Sequence, residues 1–231
     1  MEHAYPDWLN LLAWAALGLG VACALWIVVD EFRHKQMMRV MYLVWPITAL
    51  YMGPFAVVAY RRSLARMKSA MSVGGMKMAP AGERRATFWQ VAESVFHCGA
   101  GCTVGDVIGE VVVPLAGIAV LSGFWAKTAV DFALAYAFGI AFQYFTIVPM
   151  RHLSFTQGIA AAVRADTISI SLFEAGMVVW MGFLHFGLGM HMSAGEPVFW
   201  FMMQIAMVAG SAASYPANAW LIRKGWKEAM M

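Results

Sequence analysis

Residues 8–29 read WLNLLAWAALGLGVACALWIVV, an apolar run broken by one amide, Asn10, and by no charge. At 1.5 Å per residue this run makes a helix of about 33 Å, enough to cross the hydrocarbon core of a bilayer. It ends at Asp30–Glu31 with no small-residue cleavage pattern, and Glu2 and Asp7 precede it without a Lys or Arg. It is therefore expected to be the first membrane helix of the mature chain and not a cleaved signal peptide.

The same pattern recurs outward from this run. The chain has 231 residues, 61% hydrophobic and only 13% charged, with a mean hydropathy of +0.66. A soluble domain is about a quarter charged. The expected fold is an all-α integral membrane protein with about six transmembrane helices, near 8–29, 41–60, 103–123, 128–149, 168–190 and 198–222. None of these windows contains a Lys or Arg. The organisation follows as one polytopic unit: two helices in 1–60, a basic loop over 61–88, and a four-helix bundle over 89–231.

Orientation is read from the basic residues. Arg61, Arg62, Arg66, Lys68, Lys77, Arg84 and Arg85 crowd the 61–88 segment, so it is expected in the cytoplasm. Six spans then put both termini inside. Arg33, Lys35 and Arg39 dissent, since this scheme leaves them outside. Gly74, Gly75 and Pro80 argue against a continuous helix in the 61–88 loop. The net charge of +3 is no nucleic-acid signal, because the basic residues sit where helices leave the membrane.

Thr87 and Gln90 match a capping box. A straight helix from there to Leu121 would be about 50 Å long. A short interfacial helix at 88–97 is therefore expected, ending in a break at Gly99-Ala100-Gly101. Trp89, Val91, Val95 and Phe96 would lie on lipid, with Gln90, Glu93 and Ser94 in water.

The segment His97-Cys98-Gly99-Ala100-Gly101-Cys102-Thr103-Val104-Gly105-Asp106-Val107-Ile108-Gly109-Glu110 carries the chemistry. Cys98, Cys102, Asp106 and Glu110 are four apart, so on a helix they form one polar stripe of about 18 Å. Gly101, Gly105 and Gly109 run beside it and let another helix approach closely. Such a face also suits a homo-oligomer or a membrane partner. Thiolates and imidazole favour Cu(I) and Zn(II), and carboxylates favour harder ions or protons. The stripe reads as a metal entrance at His97, Cys98 and Cys102 leading to an ionisable path. Cys is also a small packing residue, and three cysteines, Cys23 among them, make no disulfide framework.

Asp106, Glu110, Asp131 and Glu174 fall within expected spans that hold no basic residue. Each costs about 3 kcal/mol or more at the bilayer centre if charged and unpaired. They point to a proton or cation pathway, or else to protonated interhelical hydrogen bonds. Glu174, Met177, Met181 and His185 share one helix face, just before Met190-His191-Met192. Imidazole with thioether suits copper, and Met is also a core gap-filler. Met71, Met76 and Met78 in the basic loop read the same two ways. Pro46 and Pro54 imply a kinked or opened second helix. Ser211, Ser214, Tyr215, Pro216 and Asn218 give the last helix polar groups for a cavity or for interhelical bonds. His97 and His152 could bracket a haem as axial ligands, noncovalently because no CxxCH motif is present.

The stretch from His97 to Asp106 and the C-terminal Tyr215-Pro216-x-Asn218-x-Trp220-Leu221-Ile222-Arg223-Lys224-Gly225-x-Lys227-Glu228-x-Met230 together resemble the signature of an uncharacterised family of bacterial multi-pass membrane proteins. That family is filed as a domain of unknown function, with some members labelled "copper oxidase". The resemblance covers roughly 97–230 and implies a bacterial inner-membrane protein linked to copper. No clustered His-x-His motifs accompany it, so an oxidase activity is not expected of this chain alone. No GxxxxGK[ST] loop is present to couple ATP hydrolysis. The expected function is transport or handling of a transition metal, copper first and zinc second. His97, Cys98, Cys102, Asp106, Glu110, Glu174, Met177, Met181 and His185 are the candidate ligands. A haem- or quinone-binding redox protein and a non-catalytic membrane subunit are the alternatives.

Overall fold

The computed structural model describes residues 5–36, 38–72, 86–115 and 123–228; side chains at 70–72 and 112–115 lie outside the description. The described elements are all helical: α1 (Asp7–Glu31), α2 (Met41–Met52), α3 (Pro54–Ser72), α4 (Phe88–Leu115), α5 (Phe124–Arg151), α6 (Phe155–Gly182) and α7 (Pro197–Arg223), with a π-helical turn at Phe183–Gly187. Among the described residues four helices are long and apolar enough to cross a membrane: α1, α5, α6 with its π-helical turn, and α7. Large apolar side chains coat the outside, including Trp8, Leu11, Trp14, Phe145 and Val179. An exposed apolar surface of this extent fits lipid rather than water as the solvent. α1 buries only a stripe along Leu9, Ala13, Gly20, Ala24, Ile27 and Glu31.

The expected second span is replaced by two helices that double back. α2 begins level with the end of α1, and its Leu50 carbonyl lies against Gly20, where a Cβ would come within 2.5 Å of it. The chain reverses at Gly53, whose φ of 53° belongs to the left-handed region glycine tolerates. By Tyr60, α3 has returned to the level of Asp30, to which the Tyr60 hydroxyl donates at 3.0 Å. Pro54 lacks the N–H that would have met the Leu50 carbonyl four residues earlier. Gln204 of α7 supplies the missing donor, with its Nε2 2.6 Å from that oxygen. Helix α3 continues to Ser72, so the expected basic loop is helical over 61–72. Gly74, Gly75, Met76, Lys77, Met78, Pro80, Arg84 and Arg85 lie outside the described residues.

The expected interfacial helix does not form as a separate element. α4 runs unbroken for 28 residues through Gly99-Ala100-Gly101. Its first turns are buried, not laid on lipid: Glu93 is 1% exposed and Ser94, His97 and Cys98 are fully buried. The Thr87–Gln90 capping box does form, with the Thr87 N–H donating to Gln90 Oε1 at 3.0 Å and the Gln90 N–H to Thr87 Oγ1 at 3.4 Å. The three glycines serve close packing. A Cβ at Gly101 would sit 2.7 Å from Gly139 Cα, one at Gly105 would strike the Ala135 backbone, and one at Gly109 would strike Asp131 Oδ1. Descending contacts on α5 against ascending ones on α4 make the pair antiparallel. The glycine face expected to receive a partner is thus filled by α5 of the same chain. α6 and α7 meet as closely at Gly176 and Gly210.

The described chain ends lie at opposite ends of the bundle. Leu9 and Ala13 pack with Leu184, Val198 and Met202, while Glu228 pairs with Arg151 at the far end of α5.

Candidate functional site

Where α4 and α6 end and α5 and α7 begin, the bundle opens into a cavity of about 230 Å³. Asp106 and Glu110 come from α4, Lys127, Thr128 and Asp131 from α5, Glu174, Met177 and Met181 from α6, and Phe199 and Met203 from α7. His185, on the π-helical turn, lines the mouth with Met190 and Met192. The extra residue of a π turn re-aims side chains, and such turns are frequent at functional sites. Here Leu188 N–H reaches back five residues to the Phe183 carbonyl at 3.1 Å. The His185 ring stacks on Phe124 with centroids 5.1 Å apart and meets His191 edge-on at 4.6 Å.

Four carboxyl groups share this space with one ammonium. Lys127 forms an ion pair with Glu110, and its Nζ stands 5.2 Å from the centre of the Phe199 ring. Both oxygens of Asp106, and one each of Asp131 and Glu174, are buried without a hydrogen-bond partner. Buried carboxyl oxygens in that state call for a proton, water or a cation. One and two turns earlier on the same face of α4 stand Cys102 and Cys98. Both thiols are fully buried and pack with Tyr51, Ile170 and Phe173.

Six of the nine sequence candidates therefore line one cavity: Asp106, Glu110, Glu174, Met177, Met181 and His185. The Cys98–Cys102–Asp106–Glu110 stripe forms as a continuous face of α4, and its thiol end is fully buried, outside the residues that line the cavity. His97 stands apart, fully buried, with Nε2 3.1 Å from Thr146 Oγ1. His152, the left-handed residue that ends α5, is exposed. Neither of these two lines the cavity. Among the described residues, no three His, Cys, Asp or Glu side chains group closely enough to hold one metal ion.

Sequence reasoning passed over Lys127 because it sat between two windows. Its spacing of four from Asp131 was the available signal, since it places both on the first turns of one helix. A second polar cluster, at the opposite end, was also missed. Lys227 is 2% exposed. Its ammonium pairs with Asp166 and donates to Asn218 Oδ1 at 2.7 Å and the Ser94 carbonyl at 3.4 Å. Arg66 pairs with Glu93 beside it. Basic residues far away in sequence thus neutralise carboxyls that no span supplies with a partner.

The family model described as "Domain of unknown function (DUF4396)" matches residues 87–227, and the chain belongs to that family. The match begins one residue before α4 and ends on the buried lysine, so it holds the whole cavity and leaves out α1 and the α2–α3 hairpin. No curated protein and no solved structure shows significant similarity to the chain.

Proposed function

We propose that this member of the family admits a cation into the α4–α7 cavity from the side of the membrane away from the cytoplasm, with copper(I) the first candidate cargo and zinc(II) the second. The observation that carries the reading is one cavity shared by four carboxyls, one ammonium, five thioethers and an imidazole. Thioethers select Cu(I), and Met181, Met190 and Met192 with His185 stand where an ion would first arrive. The carboxyls below would hold the positive charge or exchange it for protons. The buried thiols of Cys102 and Cys98 form the innermost soft ligands on the same stripe. Asp106, with neither oxygen partnered, also supports a second reading, a proton relay without metal.

The orientation rests on charge. Arg33, Lys35, Arg39, Arg61, Arg62, Arg66, Lys68, Arg151, Arg164, Arg223, Lys224 and Lys227 all lie toward the end opposite the cavity. Lys127 is the exception among the described residues. The positive-inside rule then puts the basic end in the cytoplasm of a bacterial inner membrane. In this scheme α4 crosses with α1, α5, α6 and α7, and α2–α3 re-enters from the cytoplasmic side. The N-terminal end then lies outside and the C-terminal end inside, in place of both termini inside.

The test is elemental mass spectrometry on protein purified without chelators. Wild type is expected to carry near-stoichiometric copper. Met181→Leu/Met192→Leu and Asp106→Asn/Glu174→Gln should each lose it, with the Cys98→Ser/Cys102→Ser variant retaining a weaker fraction. Equal metal in all four preparations, or none in any, overturns the metal reading. Proton uptake into proteoliposomes that disappears in Asp106→Asn would then favour the relay.

A further inference from the structure

At the basic end, the outward face of α6 presents Phe155, Ile159, Val163, Ile168 and Leu172 as exposed apolar side chains. Arg164 is exposed on the same stretch, nine residues into the helix. A guanidinium there is costly beside hydrocarbon unless it reaches the headgroup level or meets an anion. No carboxylate among the described residues pairs with it. Its guanidinium carbon lies 4.5 Å above the Trp226 ring, which fixes its direction. Across a groove of about 270 Å³ stands Arg151, the last residue of α5. Arg151 uses its Nε for Glu228 Oε1 at 2.8 Å, which leaves its terminal amino groups available. The floor between the two arginines is Ala160, Ala161 and Gly225. Small residues at all three places leave headgroup-sized room.

We infer that this groove is a binding site for the phosphodiester of an anionic phospholipid drawn from the surrounding monolayer. Two guanidiniums against one carboxylate leave a net positive charge, and arginine matches phosphate with paired donors. The groove adjoins apolar side chains of α6, so acyl chains would continue along Ile159 and Val163 while the phosphate stays between the arginines. Basic pockets between helices at a cytoplasmic face bind such headgroups. A zwitterionic lipid offers the same phosphate with its charge cancelled, and so binds less. The inference stands independently of what the cavity carries.

The experiment is native mass spectrometry of the full chain in detergent, titrated with phosphatidylglycerol, cardiolipin or phosphatidylcholine. Wild type should retain the anionic lipids at least tenfold more strongly than phosphatidylcholine. Arg151→Gln/Arg164→Gln should lose most of that preference, while Lys35→Gln, elsewhere on the basic end, keeps it. Arg164→Lys, which preserves charge but not the paired donors, should retain an intermediate share and report that the fold is intact. Equal retention of anionic lipid by wild type and the double glutamine variant overturns the inference. So does displacement of bound lipid by millimolar inorganic phosphate, which would mark a site for the free ion.

Discussion

Replacing Lys227 with methionine tests the polar cluster at the cytoplasmic end. The ammonium is buried and has three oxygen partners: the Asp166 carboxylate, Asn218 Oδ1 and the Ser94 carbonyl. Methionine fills much the same volume without the charge. It leaves Asp166, fully buried and with Oδ2 already unpartnered, as an uncompensated carboxylate. Removing one member of a buried pair costs about 3–5 kcal/mol, because the other charge stays behind. Asp166→Ala alone should cost a similar amount by stranding the lysine. The double variant should return to within about 2 kcal/mol of wild type, since replacing both members of a buried pair with apolar groups is often neutral.

The cycle is read from unfolding midpoints of the four proteins in a denaturing-detergent titration. Hydrogen exchange supplies the local signal at the C-terminal turn, where Trp226 lies between Arg164 and Trp220, with ring centroids 5.4 Å apart in the latter pair. In Lys227→Met this turn should loosen, and its amides should exchange faster well before the global transition. Additive losses in the double variant, or a single-variant loss under about 1 kcal/mol, would show that the pair is not a coupled buried unit.

Three other outcomes follow from the packing. Gly105→Ala should cost several kcal/mol, on the order of the upper range for overpacking, because its methyl meets the Ala135 backbone; Gly18→Ala, with nothing within 4 Å, should be neutral by thermal unfolding. Gln204→Leu should destabilise by about 1–3 kcal/mol by leaving the Leu50 carbonyl unpaired, and faster hydrogen exchange in α2 would locate the loss. A membrane-impermeant maleimide added to intact cells should label Ser193→Cys at the cavity end and spare Lys35→Cys; the reverse pattern would refute the orientation.

The four-residue stripe on α4 and the close glycine face were legible in sequence because both depend only on helical periodicity. The break near Pro46 and Pro54 was half legible. Proline announced a disturbed helix, but the reversal needs Gly53 in its left-handed conformation and Gln204, 154 residues from Leu50, to take the freed carbonyl. The start of α4 was misread for a related reason. Its alternation of apolar and polar residues looks interfacial, and only tertiary pairing with Arg66 and Lys227 makes burial of Glu93 and Ser94 affordable. Arg33, Lys35 and Arg39 fell on the wrong side of a six-span scheme, and the doubled-back hairpin removes that conflict by keeping the first loop at the same end as α3.

The hairpin also accounts for the position of the cavity. α2 ends at Met52, one residue past Tyr51, whose hydroxyl would lie 2.8 Å from a Cβ at Gly99 and whose ring packs with Cys98 and Cys102. A full second span would continue past that point and cover the next turns of α4. Because α2 stops and reverses, the face carrying Asp106 and Glu110 is left to α5, α6 and α7, which diverge around it. The closed half of the bundle beside the hairpin holds neutralised pairs, Arg66 with Glu93 and Lys227 with Asp166. The open half holds carboxyls in excess of its single ammonium. The thiol pair sits at the boundary, where the hairpin tip ends and the cavity begins. Loosening the hairpin tip should therefore disturb the packing of Tyr51 against the two cysteines before it disturbs the cavity mouth at His185, a difference that hydrogen exchange would read at α4 ahead of the π-helical turn.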